Sequence, residues 1–322
     1  MRNALRQAIP GKKEEGMERP DLNGLIAAIV TPMRSDLSID EESLRRYVDW
    51  LAGQGVLGLA VNVDTGEGPH LFPEERLRVL EIVAEEVGDQ VLVVAGLAAS
   101  FTEQARRLAA DTARAGADAL LVFPIPAYQG EPLDPEIPAS YHRAVAGASG
   151  LPLIAFQLQP ALGGVNFPDE TIERIMSVEG VVAIKEASFD AKRFVETARL
   201  VKSLPSAPTV LNGNDNFLLE AYLLGAEGAL LGFGTLAASE QVQLLRAARD
   251  HDLPRAFELS GMLQPLCDAI FAPPVRDYRA RIKHALVRLG VIDEAHVRPP
   301  LLPLSRDARD LVDSALKEAG LA

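Results

Sequence analysis

The sequence predicts an α/β protein, a (β/α)8 TIM barrel with a C-terminal helical extension. From residue 24 onward, short apolar runs alternate about eight times with longer amphipathic segments. The short runs are apolar throughout, as in parallel strands that helices cover on both faces. The alternative is a doubly wound open sheet, which carries a glycine-rich nucleotide loop after its first strand, whereas Thr31-Pro32-Met33 stands there in this chain.

Each predicted strand is followed by a segment with helical periodicity. After the first strand, LIAAIV at 25–30, four apolar residues recur at the spacing of one helix face: Leu44, Tyr47, Val48 and Leu51. The other strand runs, each preceding such a segment, are LGLAVN, VLVVAG, ALLVFP, PLIAFQ, VVAIKEA, PTVLN and GALLGF. A row of βα units of this length favours a closed barrel.

The chain is predicted to have three parts. Residues 1–20 mix both charge signs without a long apolar run, and we expect a mobile N-terminal arm there. Residues 21–236 form the barrel. In residues 237–322 the strand patterns stop, and the helical extension is interrupted at five prolines: Pro254, Pro273, Pro274, Pro299 and Pro300.

The charge of the chain argues against two classes of partner. Its 322 residues carry a formal net charge of −13, so the surface repels nucleic acid phosphates and anionic lipid headgroups. We therefore expect no nucleic acid and no membrane partner. The single cysteine, Cys267, lies in an apolar stretch and is predicted to be a buried structural thiol rather than a nucleophile. A reducing compartment suits such a chain, and we expect a cytoplasmic location.

A lysine stands near the end of the sixth predicted strand, in V-V-A-I-K-E-A. Strand alternation predicts Val181, Ala183 and Lys185 on one face. Val182 then lies on the opposite face. If the first face is the barrel interior, desolvation lowers the pKa of the amine and prepares it to attack a ketone carbonyl and form an imine. The alternative is a structural lysine that pairs with a buried carboxylate, either Glu186 or a residue from the next strand.

A second candidate site follows the second strand, where Thr65-Gly66-Glu67-Gly68 precedes a helix. Its hydroxyl and its backbone N–H groups suit a substrate carboxylate. The alternative is an ordinary turn in which Thr65 caps the helix. Both this turn and Lys185 come at the carboxyl ends of strands, where barrels of this kind build their active sites.

Five motifs stand in order along the chain. They are I-V-T-P after the first strand, T-G-E after the second, A-I-K-E-A at the sixth, a G-x-D turn after the seventh and V-R-P-P-L-L-P-L in the tail. Together, from about Gly24 to the C-terminus, they resemble the dihydrodipicolinate synthase and N-acetylneuraminate lyase family. The resemblance implies a homotetramer or homodimer of barrels that forms a lysine imine with pyruvate or a related 2-oxo acid. Lys185 matches the lysine position, and Thr65 with Gly66 matches the turn that holds the carboxylate.

Two departures from the family pattern concern proton transfer. The family turn G-T-T or G-S-T is V-D-T here, so Asp64 stands beside the expected substrate carboxylate, and the two charges would repel. The family's T-P-Y-Y at the fourth strand is F-P-I-P here, with Pro126 in place of the tyrosine that shuttles protons. Asp64, Tyr128 and His70 are the candidates for that role. A capping aspartate, a packed tyrosine and a surface histidine are the respective alternatives.

Other candidates stand at further strand ends and in the tail. Relatives often show Y-N after the fifth strand, where this chain has Phe156-Gln157, and the Gln157 amide is a candidate for substrate hydroxyls or for backbone groups at the barrel mouth. Asn212 and Gly213, in the turn after the seventh strand, are also assigned to substrate binding. Three arginines are expected to form salt bridges between subunits or to meet a neighbouring subunit's anionic substrate: Arg276, Arg279 and Arg281.

The sequence contains no recognisable metal or nucleotide motif. Its five histidines lack the close pairing of zinc or non-haem iron sites, so we expect no metal and no cofactor. The patterns favour a lyase or aldolase that acts on a 2-oxo acid and an aldehyde through an imine on Lys185, with Asp64 and Tyr128 as catalytic partners. The alternative is a non-catalytic barrel that binds 2-oxo acids as a sensor or assembly protein, which Pro126 supports.

Overall fold

The computed structural model describes residues 20–322 and shows eight parallel strands that pair in chain order, with the eighth closing on the first. They are β1 (Leu25–Ala28), β2 (Gly58–Val61), β3 (Leu92–Leu97), β4 (Ala119–Val122), β5 (Leu153–Leu158), β6 (Val181–Ala187), β7 (Thr209–Asn212) and β8 (Gly228–Leu231). The predicted (β/α)8 barrel is thus confirmed. The arm predicted at residues 1–20 lies outside the described residues except for Pro20.

One helix follows each strand, and three more complete the chain. The barrel helices are α1 (Glu41–Ala52), α2 (Pro73–Val87), α3 (Thr102–Arg114), α4 (Glu136–Ser149), α5 (Asp169–Met176), α6 (Ala191–Ser203), α7 (Leu218–Leu223) and α8 (Ala238–Arg249). The helices of the extension are α9 (Leu253–Ile270), α10 (Tyr278–Arg288) and α11 (Arg306–Glu318). Strands and helices alternate as the periodicity predicted.

Helix α1 illustrates how local sequence sets an element. The Asp40 carboxylate accepts a hydrogen bond from the Ser43 N–H at 3.2 Å, which satisfies one free donor of the first turn. Glu41 and Glu42 place negative charge at the positive end of the helix dipole. The apolar residues predicted for one face are all buried: Leu44, Tyr47, Val48 and Leu51.

Apolar side chains pack in two layers on either side of the strand backbones. In β1, Ile26 and Ala28 belong to the layer inside the barrel, whereas Leu25 and Ala27 pack outward against the helices. All four side chains are buried, which explains why the strand runs in the sequence are continuously apolar.

Strand β6 departs from simple alternation at its start. Consecutive residues of β5 pair with Val181 and Ala183, so Val182 is an extra residue in the ladder. Because of this bulge, Val182 packs inside the barrel and Val181 packs in the outer layer. The predicted facing of these two valines was therefore wrong. Beyond the bulge the predicted facing holds, with Ala183 in the interior layer and Ile184 outside.

The extension begins where the eighth βα unit ends. Helix α8 completes that unit, so within residues 237–322 the helices outside the barrel are α9 to α11. Pro254 lies in the first turn of α9, where its missing N–H costs nothing. The other predicted interruptions fall in the connections between the helices of the extension: Pro273, Pro274, Pro299 and Pro300.

A buried ion pair holds the extension on the barrel. Lys283 Nζ of α10 lies 2.5 Å from Glu67 Oε1, and neither side chain is accessible to solvent. The second Glu67 oxygen accepts the Arg298 N–H at 2.7 Å, and Lys283 also donates to the His296 carbonyl at 2.6 Å. Burial lowers the pKa of Lys283, and the Glu67 charge opposes that shift. The T-G-E motif and the V-R-P-P motif of the sequence therefore meet at one point.

We expect Lys283→Met to destabilise the protein by about 3–5 kcal/mol, because it leaves the Glu67 carboxylate buried without its cation. The midpoint of urea unfolding measures this change, and Lys283→Met combined with Glu67→Gln should recover part of the loss. The control is Arg46→Met, which removes a half-exposed pair with Asp293 and should cost less than about 1 kcal/mol. Equal midpoints for the two single variants would contradict the assigned role of the buried pair.

Candidate active site

A cleft opens at the carboxyl ends of the strands, above the barrel interior. It brings together Lys185 of β6, the turn of Asp64 and Thr65 after β2, and Asp215 after β7. Tyr278, the first residue of α10, closes one side. Parallel strands direct the residues that follow them to the same edge, so positions far apart in sequence share one site.

Lys185 lies in the interior of the barrel with only 9% of its surface exposed. Its Nζ is 4.4 Å from the centroid of the Phe156 ring. Burial lowers the pKa of Lys185 to about 8, and the negative charges of Asp215 and Asp64 oppose that shift. The neighbouring Glu186 faces the outside of the barrel, so it is not a partner of Lys185, and the nearby buried carboxyl is Asp215 after β7.

Asp215 is a buried acid near the lysine that the sequence interpretation did not select. Its Oδ1 accepts the Phe233 N–H at 2.9 Å, and its backbone carbonyl accepts the Cys267 thiol at 2.8 Å. Burial raises the pKa of Asp215 to about 6, while the bond from Phe233 and the charge of Lys185 oppose the increase. A signal existed, because Asp215 is the titratable residue of the N-G-N-D turn. Cys267 is buried, as predicted.

Gly213 lines the cleft, at a position where no side chain fits beside Lys185. A Cβ at this position would lie 2.6 Å from Lys185 Cε and 2.8 Å from the Ala187 Cβ. The glycine is therefore required for the lysine side chain to extend along the strand end. The sequence assigned Gly213 to the substrate, and the structure places it against the lysine.

The turn after β2 presents donors to the cleft. Within residues 20–322, the backbone N–H groups of Asp64 and Thr65 donate to no protein acceptor, and Thr65 is buried. The Gly66 N–H, by contrast, donates to the Val63 carbonyl at 3.1 Å and shapes the turn. The Thr31 hydroxyl donates to the Gly66 carbonyl at 2.8 Å, which anchors the turn to the end of the first strand. Two free N–H groups beside a hydroxyl form a suitable binding point for a carboxylate.

The charge of Asp64 is neutralised within the same chain. Its carboxylate forms an ion pair with the Arg279 guanidinium, and its backbone carbonyl accepts the Arg279 Nε–H at 2.7 Å. The Arg279 side chain is 10% exposed. An anion bound at this turn therefore meets a compensated carboxylate, which answers the repulsion that the sequence raised.

Tyr278 is the second residue that the sequence interpretation missed. Its hydroxyl donates to Asp64 Oδ2 at 2.8 Å and lies 3.4 Å from Thr65 Oγ1. Burial and the Asp64 charge raise the pKa of Tyr278 well above its usual range, so the phenol is neutral. It lies between Arg276 and Arg279, and nothing in the sequence around it indicates a position beside Thr65.

Two of the three arginines expected at contacts between subunits bind groups of their own chain instead. Arg279 pairs with Asp64, and Arg281 donates to the carbonyls of Ile270 and Ala272 next to the end of α9. Arg279 and Arg281 are both buried, so the expected salt bridges between subunits were wrong for these two. Arg276 is 72% exposed.

Tyr128 lies away from the cleft. It follows Pro126 in a short 3-10 turn and packs in a buried cluster with Tyr141 and Phe167, at ring distances of 6.0 and 5.9 Å. Its hydroxyl has no hydrogen-bond partner among residues 20–322, and burial raises its pKa. Its place in the structure agrees with the packed loop tyrosine that was the alternative interpretation.

Gln157 and Asn212 face other polar groups rather than the cleft. The Gln157 amide donates to Glu186 Oε1 at 2.9 Å and accepts the Phe167 N–H at 3.1 Å. Asn212 Oδ1 accepts the Asn214 N–H at 2.8 Å. Gln157 on β5 and Asn212 on β7 both pair in register with Glu186, which faces away from the interior. Their side chains therefore point the same way as Glu186 and not into the cleft.

The remaining predictions concern His70, metal binding and membrane spans. His70 ends a short 3-10 turn, outside the lining of the cleft, and its Nδ1 is buried without a hydrogen-bond partner among the described residues. In residues 20–322, no three His, Cys, Asp or Glu side chains are arranged to hold a metal ion. No helix in that same range has the length and apolarity needed to cross a membrane.

Known proteins match the chain along nearly its whole length. The model of the dihydrodipicolinate synthetase family matches residues 21–319. A 4-hydroxy-tetrahydrodipicolinate synthase of Chlorobium phaeobacteroides is 32% identical over 306 residues, which are 95% of this chain and 99% of that protein.

Solved structures agree with the sequence matches. A dihydrodipicolinate synthase of Acinetobacter baumannii, complexed with pyruvate, has 30% identity and a TM-score of 0.82 over 94% of this chain and 100% of that one. A monomeric dihydrodipicolinate synthase variant has 29% identity and a TM-score of 0.84 over 97% and 100% of the two chains.

The barrel and these relatives define a lyase of the class I aldolase type. The chain belongs to the dihydrodipicolinate synthetase family. The resemblance inferred from the five motifs is therefore confirmed.

We expect Gly213→Ala to displace Lys185. The added Cβ would overlap the Lys185 Cε, the Ala187 Cβ and the Glu186 carbonyl oxygen. The reactivity of Lys185 towards trinitrobenzenesulfonate, followed by peptide mass spectrometry, should fall at least about fivefold. The matched control is Gly147→Ala in α4, where a Cβ meets no atom within 4 Å and should be neutral or stabilise by up to about 1 kcal/mol. Unchanged labelling in Gly213→Ala would contradict the close contact.

The labelling of Lys185 should rise with pH and reach half its maximum near pH 8, because only the neutral amine reacts. Asp215→Asn should move this midpoint below 8, since it removes a negative charge that favours the ammonium. The control is Asp89→Asn, which removes an exposed carboxylate ahead of β3. A midpoint that moves upward in Asp215→Asn, or equally in both variants, would reject this electrostatic account.

Proposed function

We propose that the chain is an aldolase-type lyase in which Lys185 forms an imine with pyruvate or a related 2-oxo acid. The observation that carries the proposal is the buried lysine with a pKa of about 8 at the carboxyl ends of the barrel strands. At pH 7 about one tenth of such amines are neutral, against about one in 2,500 for an ordinary lysine. The pyruvate complex of a related synthase supports the choice of 2-oxo acid.

The turn after β2 is proposed to hold the substrate carboxylate. Its support is the pair of free N–H groups on Asp64 and Thr65, together with the Thr65 hydroxyl. Because Arg279 compensates the Asp64 charge, a second carboxylate can approach the turn. A carboxylate fixed there would hold the neighbouring 2-oxo carbon within the cleft that Lys185 enters.

Proton transfer is proposed to pass through Tyr278 and Asp64. The phenol lies between the Thr65 hydroxyl and the Asp64 carboxylate, at 3.4 and 2.8 Å. When the phenol gives its proton to the substrate, it becomes a phenolate beside the Asp64 carboxylate. The Arg279 guanidinium, which pairs with Asp64 and opposes the rise in the pKa of Tyr278, offsets part of this added negative charge until the proton returns. This arrangement gives the site a phenol although Pro126 and Phe156 stand where relatives carry tyrosines. A phenol in this position would supply the proton transfer that Pro126 cannot, and this supports an enzyme over a non-catalytic sensor.

The proposed chemistry needs no added cofactor. Once the imine on Lys185 is protonated, it withdraws electrons from the adjacent carbon and permits a carbon–carbon bond to form or break. Asp215, buried and near the lysine, stabilises positive charge at this position.

The proposed partners are a 2-oxo acid and an aldehyde, with neither nucleic acid nor membrane. We propose assembly as a homodimer or homotetramer, although a related synthase variant is monomeric. A cytoplasmic location is proposed as well, and its support is the single buried cysteine, which suits a reducing compartment.

The direct test is reduction of the protein with borohydride in the presence of pyruvate, followed by peptide mass spectrometry. We expect a pyruvate adduct on Lys185 in the wild-type chain and none in Lys185→Met. Exposed Lys192 serves as the reference for non-specific labelling. No adduct on Lys185 with pyruvate or with any other 2-oxo acid would overturn the proposal.

We expect Tyr278→Phe to retain the borohydride adduct but to slow exchange of the pyruvate methyl protons with D2O by at least about 100-fold, since general acid–base groups contribute about that much. Proton NMR of pyruvate measures the exchange without any second substrate. The matched control is Tyr222→Phe, which removes a phenol outside the cleft, in α7. Exchange at the wild-type rate in Tyr278→Phe would exclude the phenol from proton transfer.

A further inference from the structure

The inner wall of the cleft is aromatic and apolar. Phe123 and Phe156 meet edge to face with ring centroids 5.0 Å apart, and both rings are buried. Val63 and Leu158 continue this wall and are also buried. These side chains line the cleft beside Lys185 and belong to the buried surroundings that lower its pKa.

A second group of aromatic rings stands at the rim of the cleft. Phe271, at the end of α9, stacks on Tyr278 with ring centroids 5.0 Å apart and planes 18° apart. Phe189, after β6, lies 6.4 Å from Phe271. Phe189 and Phe271 both line the cleft and remain partly exposed, so their rings are available to a ligand.

The backbone at Phe189 is strained in a way that keeps its ring in this position. Its φ is 61°, in the left-handed region that bulky side chains seldom adopt. The Asn214 amide oxygen accepts the Phe189 N–H at 2.7 Å, and the Asn214 amide nitrogen is fixed by Glu186. A strained conformation that a buried network maintains is typical of functional positions.

Charged groups in the cleft are few and of the wrong sign for a second anion. Among the described residues that line it, Lys185 is the cation, whereas Asp64 and Asp215 are acids. The Arg279 guanidinium is committed to Asp64. An aldehyde that carries its own carboxylate would therefore meet apolar rings and the uncompensated acid Asp215, without a free cation to bind it. A polyhydroxylated chain would lose hydrogen bonds to water against the same rings.

We propose that the aldehyde partner of this enzyme carries an aromatic ring, which binds between Phe156 and the Phe189–Phe271 rim. This inference rests on the proposed function. Stacking and edge-to-face contacts with four phenylalanine rings favour a planar apolar group over an anionic or sugar-like one. The apolar Leu162, in the loop after β5, borders the same space.

The reaction is a reversible aldol addition with a complete atom balance. The Lys185 imine of pyruvate loses a methyl proton to give an enamine, whose carbon attacks the aldehyde carbon. The aldehyde oxygen takes up a proton, and hydrolysis of the imine regenerates the lysine. Pyruvate and an aromatic aldehyde thus give a 4-aryl-4-hydroxy-2-oxobutanoate, and cleavage runs through the same steps in reverse.

The test compares benzaldehyde, aspartate semialdehyde and glyceraldehyde as partners of pyruvate, with products measured by mass spectrometry. We expect kcat/KM for benzaldehyde to exceed that for each polar aldehyde at least about tenfold. Exchange of the pyruvate methyl protons is followed in parallel. Exchange without a preference for benzaldehyde overturns the aromatic inference alone. Absence of both exchange and every product overturns the proposed function and this inference with it.

Two variants with matched controls examine the rim. Phe271→Leu keeps an apolar side chain but loses the ring, and the benzaldehyde addition rate, divided by the exchange rate of the same variant, should fall about 3- to 10-fold. The control is Phe257→Leu, a 62% exposed position on α9. Leu162→Arg should raise the preference for aspartate semialdehyde over benzaldehyde at least about tenfold, with the 75% exposed Leu302→Arg as control. Variants that match their controls would reject the proposed binding mode.

Discussion

The arrangement of the site depends on the buried ion pair of Glu67 and Lys283. Neither charge has access to water, so each needs the other to compensate its burial. The pair therefore holds the loop after β2 and helix α10 in one relative position. The same loop carries Thr65, and the same helix carries Tyr278 and Arg279. The pair thereby fixes the distance between the turn that presents N–H groups and the phenol that faces it.

The pKa of Lys185 is set by two opposing effects, desolvation and the negative charge of nearby carboxylates. Desolvation by the barrel core and by Phe156 favours the neutral amine, and a pKa of about 8 instead of 10.5 corresponds to about 3 kcal/mol in its favour. Asp215 limits that shift, because its charge stabilises the ammonium. Asp64 stabilises the ammonium less than Asp215 does. The lysine is left able to lose its proton and able to regain it.

The sequence predicted those features that local patterns encode. Continuous apolar strands and helical periodicity gave the barrel, and the strand motif identified Lys185 with its inward face. The predictions failed at positions whose role depends on side-chain direction or on contacts between residues distant in sequence. Gln157 and Tyr128 stand at plausible strand ends, but the pleat directs one outward and packing buries the other. Tyr278 lines the same cleft as Lys185 but follows it by 93 residues in the sequence, and hydrophobic periodicity does not predict contacts over such a separation. Val182 shows that a single bulge also reverses a facing that alternation had set.

The position of Tyr278 in the first helix turn of α10 has a consequence for how the protein matures. During synthesis the barrel strands, including Lys185, leave the ribosome before this helix does. A nascent or truncated chain with a folded barrel would possess the amine but lack the phenol and the arginine that neutralises Asp64. The proposed site is thus completed only when α10 docks on the barrel.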